Sequence, residues 1–201
     1  MTRAARRAAL LAVAAAFAAP GLFAGCSRKD GLSFNATDIT GVDYGKELAL
    51  DDHFGKPRTL ADFRGKVVVV FFGFTHCPDV CPTTLLTIAN ALKQLGPQAD
   101  QVQVLFVTLD PERDDAKMLA QYVPAFHPTF IGLRGDAAAT QKAAREFKVF
   151  YQKTPLSTPG NYTVDHTSAA YVIDKQGRLR LFVRHTQTAE QLAQDLKQLL
   201  S

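Results

Sequence analysis

Cys77 and Cys81 stand four residues apart in Gly73-Phe74-Thr75-His76-Cys77-Pro78-Asp79-Val80-Cys81-Pro82, directly after the uninterrupted apolar run Val67–Phe72. Such a run reads as a buried strand, and Pro82 reads as a helix start, because proline suits a first turn that needs no N–H. Thiols at a strand-to-helix junction meet free backbone N–H groups and the positive end of the helix dipole, and both favour the thiolate. Thiolates serve two chemistries, soft-metal binding and disulfide exchange. A structural staple explains the pair poorly, since a disulfide spanning three intervening residues closes too small a loop to stabilise much.

The elements that must position this pair follow from the apolar periodicity. Leu48–Leu60 reads as a hairpin turning at Gly55-Lys56-Pro57, and Ala61–Lys66 leads into the Val67–Phe72 strand. Pro82–Leu95 is an amphipathic helix with Leu85, Ile88, Ala89 and Leu92 on one face and Gly96-Pro97 as its stop. Then come a strand at Val102–Leu109, a helix at Asp114–Val123, a short strand at Thr129–Leu133 and a helix at Asp136–Phe147. A hairpin of Ser168–Ile173 and Leu179–Val183 around Asp174-Lys175-Gln176-Gly177 precedes a closing helix at Thr188–Leu200. This order describes an α/β sandwich with a central mixed β-sheet flanked by helices, plus an N-terminal hairpin. A βαβ opening followed by ββα, with paired cysteines at the first helix, resembles the thioredoxin-like fold.

Five histidines are available as a third ligand. His53 falls in the hairpin turn and His185 after the last strand, both expected to be exposed. His127 precedes a proline and shows no partner, and the His76 side chain is expected to point away from the thiols. His166 closes the polar segment Thr154–Asp165, read as a long loop, and immediately precedes the Ser168–Ile173 strand. In thioredoxin-like folds that position faces the cysteine pair, and redox members usually place a cis-proline there. Here no proline follows Pro159, and Asp165-His166-Thr167 takes the spot. Cys77, Cys81 and His166 would form a Cys₂His set suited to Zn²⁺ with a fourth ligand, or to copper. Thiolates favour Cu(I), an added imidazole makes Cu(II) tolerable, and spacing alone does not choose among them. Asp165 and Asp110 are candidate carboxylates for fixing the imidazole tautomer; the alternative for both is loop and helix capping.

The chain has 201 residues, 47% hydrophobic and 21% charged, which fits one soluble domain with a core. Its net charge of +4 rests largely on Arg3, Arg6 and Arg7, in a stretch without acidic residues. Without the first 25 residues there remain 20 basic and 19 acidic side chains and no basic block, which argues against a nucleic-acid partner. Residues 1–25 read as a lipoprotein signal peptide: arginines, an apolar stretch Ala8–Ala19 shorter than the ~18 residues of a spanning helix, then Pro20-Gly21. Leu22-Phe23-Ala24-Gly25-Cys26 resembles a bacterial lipobox, although Phe23 stands where leucine is usual. Cys26 is therefore expected to carry lipid, the alternative being an uncleaved membrane anchor. On this reading 26–47 is a tether and lead-in, and 48–201 is the thioredoxin-like domain. It would be a membrane-anchored lipoprotein of the bacterial cell envelope, facing the periplasm.

Gly73–Pro82, Leu109-Asp110-Pro111-Glu112-Arg113-Asp114 and Val164-Asp165-His166-Thr167 together resemble the three signatures of the Sco/SenC copper proteins. That resemblance, running from about Leu48 to the C-terminus, implies a metallochaperone rather than an enzyme. It implies that Cys77, Cys81 and His166 bind Cu(I) or Cu(II). It implies receipt of copper from an upstream donor and delivery to the CuA site of cytochrome c oxidase subunit II during oxidase assembly, with possible reduction of the client's cysteines. Many members of that family carry a membrane-spanning anchor, where this chain has a lipobox. The competing reading is a thiol–disulfide oxidoreductase using Cys77 and Cys81; the three-residue spacing and the missing proline weigh against it. A peroxiredoxin-like motif is absent, because Thr75 stands one residue too close to Cys77.

Overall fold

Parallel strands need crossovers, and amphipathic helices that cover the sheet supply them. The computed structural model describes residues 31–201. In chain order the strands and helices begin with β1 (Thr37–Asp38), β2 (Ala49–Asp52), β3 (Pro57–Thr59), β4 (Val67–Gly73), α1 (Val80–Leu95), β5 (Val102–Thr108) and α2 (Ala116–Tyr122). They continue with β6 (Ile131–Arg134), α3 (Ala137–Glu146), β7 (Tyr151–Pro155), β8 (Tyr162–His166), β9 (Ala169–Ile173), β10 (Leu179–Arg184) and α4 (Ala189–Leu200).

Eight strands form one sheet in the order β1-β10-β9-β4-β5-β6-β2-β3. The centre is parallel, β4 against β5 and β5 against β6, while β9 runs antiparallel to β4. Every residue of β4 and β5 is buried, which is why β4 reads as an unbroken apolar run and β5 as an apolar strand interrupted by Gln103. The α1 face with Leu85, Ile88, Ala89 and Leu92 is buried as its period requires. That helix starts at Val80, so Pro82 sits third, still inside the turn whose N–H groups lack helical partners. Asp136 caps α3 by accepting from the Ala139 N–H at 2.8 Å, and Thr188 with Gln191 forms a capping box on α4.

Three expectations are corrected here. Thr154–Asp165 is not a long loop: β7 and β8 pair antiparallel from Tyr151 opposite His166 to Pro155 opposite Tyr162. Few of their residues are buried, so the hydrophobic contrast that marks a strand is weak. The lead-in before Leu48 is ordered against the domain. Its β1 pairs with β10, and the backbone N–H groups of Asn35 and Ala36 donate to the buried Asp195 carboxylate on α4, both at 2.8 Å. The β2–β3 turn falls at His53–Gly55, with Gly55 at φ +81° where only glycine sits without strain, and Pro57 begins β3. His53 is buried there, and its Nδ1 accepts the Gly132 N–H at 3.0 Å.

The signal peptide at 1–25 and the lipid site at Cys26 lie outside the described residues. Among the described residues, no helix is long and apolar enough to cross a membrane.

Candidate metal centre

The carboxyl ends of β4 and β5 and the first turn of α1 meet at one pole of the sheet. Gly73, the last residue of β4, allows this closeness: a Cβ there would lie 2.9 Å from both Cys81 Sγ and a Phe106 ring carbon. Beyond it, the loop carrying Cys77 is tied down by Asp114, a fully buried carboxylate. Asp114 accepts the Thr75 N–H at 2.9 Å, the Thr75 hydroxyl at 2.6 Å and the Thr108 hydroxyl at 2.6 Å. The sequence marked Asp114 as the start of a helix and the last residue of a family signature, and the structure shows what its side chain does: it clamps the cysteine loop to the end of β5.

Cys77 is half-buried and Cys81 fully buried, and no disulfide joins them. The Cys81 backbone N–H points at Cys77 Sγ, 3.4 Å away. The Cys77 thiol is held down to about 5, first by a hydrogen bond from the Cys81 thiol, then by the Asp79 and Cys81 backbone N–H groups, with burial opposing. Cys81 is pushed up by donating that bond and by its burial. At neutral pH the pair is one thiolate and one thiol sharing a proton, and a soft cation has to displace that proton alone. Lowering the pH through about 5 protonates Cys77 and removes its nucleophilicity. Iodoacetamide labelling of the reduced, metal-free chain, read by peptide mass, is expected to modify Cys77 with a midpoint near about 5 while Cys81 stays unlabelled. A midpoint near about 8.5, the ordinary thiol value, would contradict this electrostatic picture.

His166 ends β8 three residues before β9 begins, and β9 runs antiparallel to β4 with Ala170 opposite Phe71, so the chain carries His166 to the cysteine pole. Its Nδ1 lies 3.0 Å from the Thr167 carbonyl oxygen, which can only accept. The ring proton therefore sits on Nδ1, and the Nε2 lone pair faces Cys81 Sγ at 3.6 Å. Burial lowers the basicity of the ring and keeps it neutral, as a ligand must be. The edges of Phe71 and Phe74 fix its plane, with centroids at 6.5 and 6.0 Å.

The candidate carboxylates do other work. Asp165 is exposed and accepts the Thr154 hydroxyl at 2.6 Å, because neighbouring strand residues point to opposite faces. The backbone of Thr167 takes the orienting role foreseen for it. Asp110 is fully buried, but binds Arg113 Nε and the Tyr162 hydroxyl (2.7 Å) rather than the imidazole. Of the other histidines, His76 turns to the Thr75 hydroxyl at 3.1 Å and lies 3.5 Å from Asp114. His127 does have a partner, the Thr129 hydroxyl at 2.9 Å, and His185 is exposed. A residue that sequence reasoning missed is Tyr122. Its hydroxyl is buried with no acceptor among the described residues, and burial together with the charge of both cysteines disfavours its ionisation.

The donor set fits a soft ion. A sulfur at about 2.3 Å and an imidazole nitrogen at about 2.0–2.1 Å from a shared metal lie about 3.6 Å apart when they subtend a tetrahedral angle. The Cys81–His166 spacing already has that value, while among the described residues no three His, Cys, Asp or Glu side chains converge closely enough to hold an ion as they stand, so binding draws the three groups closer together. A family model described as SCO1/SenC matches residues 36–201, which include all three donors. The chain belongs to the SCO1/SenC family. A solved family structure, Bradyrhizobium japonicum ScoI with copper bound, is 39% identical, covers 78% of this chain and 99% of that one, and superposes with a TM-score of 0.72. The apo Sco1 protein of Thermus thermophilus is 44% identical over 83% of this chain and 97% of that one, with a TM-score of 0.74. The mitochondrial SCO2 homolog of Mus musculus is 39% identical over 153 residues, 75% of this chain. That match covers 60% of the mouse protein, so the chain spans less than two thirds of this SCO relative.

Proposed function

We propose that this SCO1/SenC protein is a copper metallochaperone whose cargo, Cu(I) or Cu(II), sits between Cys77 Sγ, Cys81 Sγ and His166 Nε2. The observation carrying this reading is the neutral imidazole held with its lone pair 3.6 Å from a cysteine sulfur. Two sulfurs and one nitrogen select a thiophilic ion, and three donors at tetrahedral angles leave a fourth position for an incoming ligand from a client. Cys77, half-buried and a thiolate at neutral pH, meets donor and client first. Cys81 closes the site from the protein side. The client we assign is the CuA site of cytochrome c oxidase subunit II, supplied through an upstream copper donor. Cargo enters and leaves unchanged, so this activity is not enzymatic.

The same thiols also suit reduction of a client disulfide. The Cys77 thiolate attacks one client sulfur and displaces the other, and Cys81 then breaks the mixed disulfide. Two electrons pass to the client with the one proton the pair holds, a second proton comes from solvent, and a Cys77–Cys81 disulfide remains. That oxidised form cannot hold copper. We also assign Cys26 as the lipid-bearing residue that holds the domain at the bacterial envelope membrane, facing the periplasm.

The test is cytochrome oxidase activity in a strain lacking the chain. Activity should fall, recover with added copper or the wild-type chain, and stay low with Cys77→Ser. Unchanged oxidase activity would reject the assignment. The second reading, a thiol–disulfide oxidoreductase, draws on the activated Cys77 beside a proton-holding partner. Insulin reduction by the copper-free chain at a thioredoxin-like rate would favour it.

A further inference from the structure

The hairpin β7–β8 carries His166 yet stands outside the main sheet, in a two-stranded sheet of its own. Of β8 only Val164 is fully buried, so burial alone holds the hairpin weakly. Tyr162, Val164 and His166 alternate along the strand and share its inward face. Whatever fixes Tyr162 therefore also fixes the approach of His166 to the thiols.

Tyr162 is fixed by Arg113, in the loop after β5. The Arg113 guanidinium carbon lies 3.7 Å from the Tyr162 ring centroid, and Nη1 donates to the Tyr162 carbonyl oxygen at 2.9 Å. Its Nε binds Asp110, whose other oxygen accepts the Tyr162 hydroxyl at 2.7 Å. Arg113 thus grips Tyr162 by ring and backbone, and Asp110 aligns both partners. A planar guanidinium can stack and donate in two directions at once, which an ammonium cannot. The Phe74 ring centroid also lies 5.9 Å from the guanidinium carbon, and that ring meets His166 in a T-shaped arrangement, so the grip and the imidazole share a neighbour. The grip is incomplete, because Arg113 Nη2 is buried with no acceptor among the described residues. An orphaned buried donor costs free energy, and the closed arrangement is held less firmly than a fully bonded fork.

We propose that Arg113 is the positioning residue that seats His166 against Cys77 and Cys81, and that releasing its hold on Tyr162 withdraws the imidazole from the metal site. This rests on the copper reading above for its purpose, though not for its geometry. In the seated state the ion has three protein donors. With the hairpin released it has two sulfurs, the form from which a thiol-bearing client extracts it. The Leu109–Asp114 segment so acquires a task the cysteine and histidine motifs do not perform.

The test uses the full, reduced, copper-free chain and the NMR signals of the His166 ring, identified by their loss in His166→Ala. Phe71 and Phe74 give those ring protons displaced shifts in the wild type. Arg113→Ala is expected to return them toward the values of an exposed histidine, while signals of the distant Phe72, Phe147 and Tyr171 cluster hold still. Tyr162→Phe, which keeps the stacking but loses the Asp110 bond, should move them part of the way. Unmoved His166 signals in both variants would overturn the proposal. A second arm loads Cu(I) and times its capture by a chelator. Arg113→Ala should speed release about tenfold in the chain that has His166 and less than twofold in His166→Ala, the non-additivity of residues acting through one contact. Equal acceleration in both backgrounds would also overturn it. A wild-type chain that takes no copper would defeat the functional reading and leave the ring signals to decide the positioning role.

Discussion

Cys77→Ala and Cys81→Ala each lower Cu(I) affinity by about a thousandfold, on the order of 4 kcal/mol. Structural zinc sites draw roughly 10–16 kcal/mol from about four ligands, so one thiolate among three accounts for a loss of this size. The backbone around the pair is already in place, with the Cys81 N–H aimed at Cys77 Sγ, so little reorganisation is available to compensate. Competition against a Cu(I) chelator at fixed pH measures it. In the wild type the same assay should weaken as pH falls from 7 through about 5, where protons compete for Cys77. A cysteine variant within fivefold of the wild type would remove that sulfur from the site.

Asp114→Ala is the second large effect, and it falls on stability. The substitution strands the Thr75 N–H and the Thr75 and Thr108 hydroxyls, all of which now donate to one buried carboxylate. Hydrogen bonds to a charged group contribute about 1.5–3 kcal/mol each, and local relaxation recovers part of the sum, so the expected loss is about 3 kcal/mol. For a domain of this size that lowers Tm by about 6–12 °C. Asp115→Ala is the comparison: Asp115 is exposed and caps α2 through the Met118 N–H at 2.7 Å, and its loss should cost about 1 kcal/mol. Thermal unfolding of the reduced, copper-free chains decides it. Equal Tm values for the two variants would mean that the Asp114 clamp carries no weight.

Much of this molecule is legible in its sequence where one local signal dominates. The unbroken apolar run of β4, the largely apolar β5, the period of α1 and the capping residues Asp136 and Thr188 each settle an element without reference to the rest. The cysteine pair is legible because its junction is local. His166 is legible only through the fold, since 85 residues separate it from Cys81. What escaped depends on direction and distance. Asp165 adjoins His166, but strand alternation turns its side chain to the opposite face. Asp195 captures Asn35 and Ala36 across 160 and 159 residues, and no window of sequence contains that bond. His53 looked exposed because it sits in a turn, yet the Gly132 N–H of a neighbouring strand draws its ring inward. The β7–β8 hairpin escaped because it is held by Arg113 and Tyr162 more than by an apolar face.

The central claim is that two thiolate sulfurs and the Nε2 of His166 hold one copper ion between them. X-ray absorption on the Cu(I)-loaded chain and on its His166→Ala variant tests this most directly. The wild type should show two sulfurs and one imidazole nitrogen around the metal, and the variant should keep the sulfurs, lose the nitrogen and bind less tightly. A nitrogen that survives in His166→Ala with affinity unchanged would contradict the account.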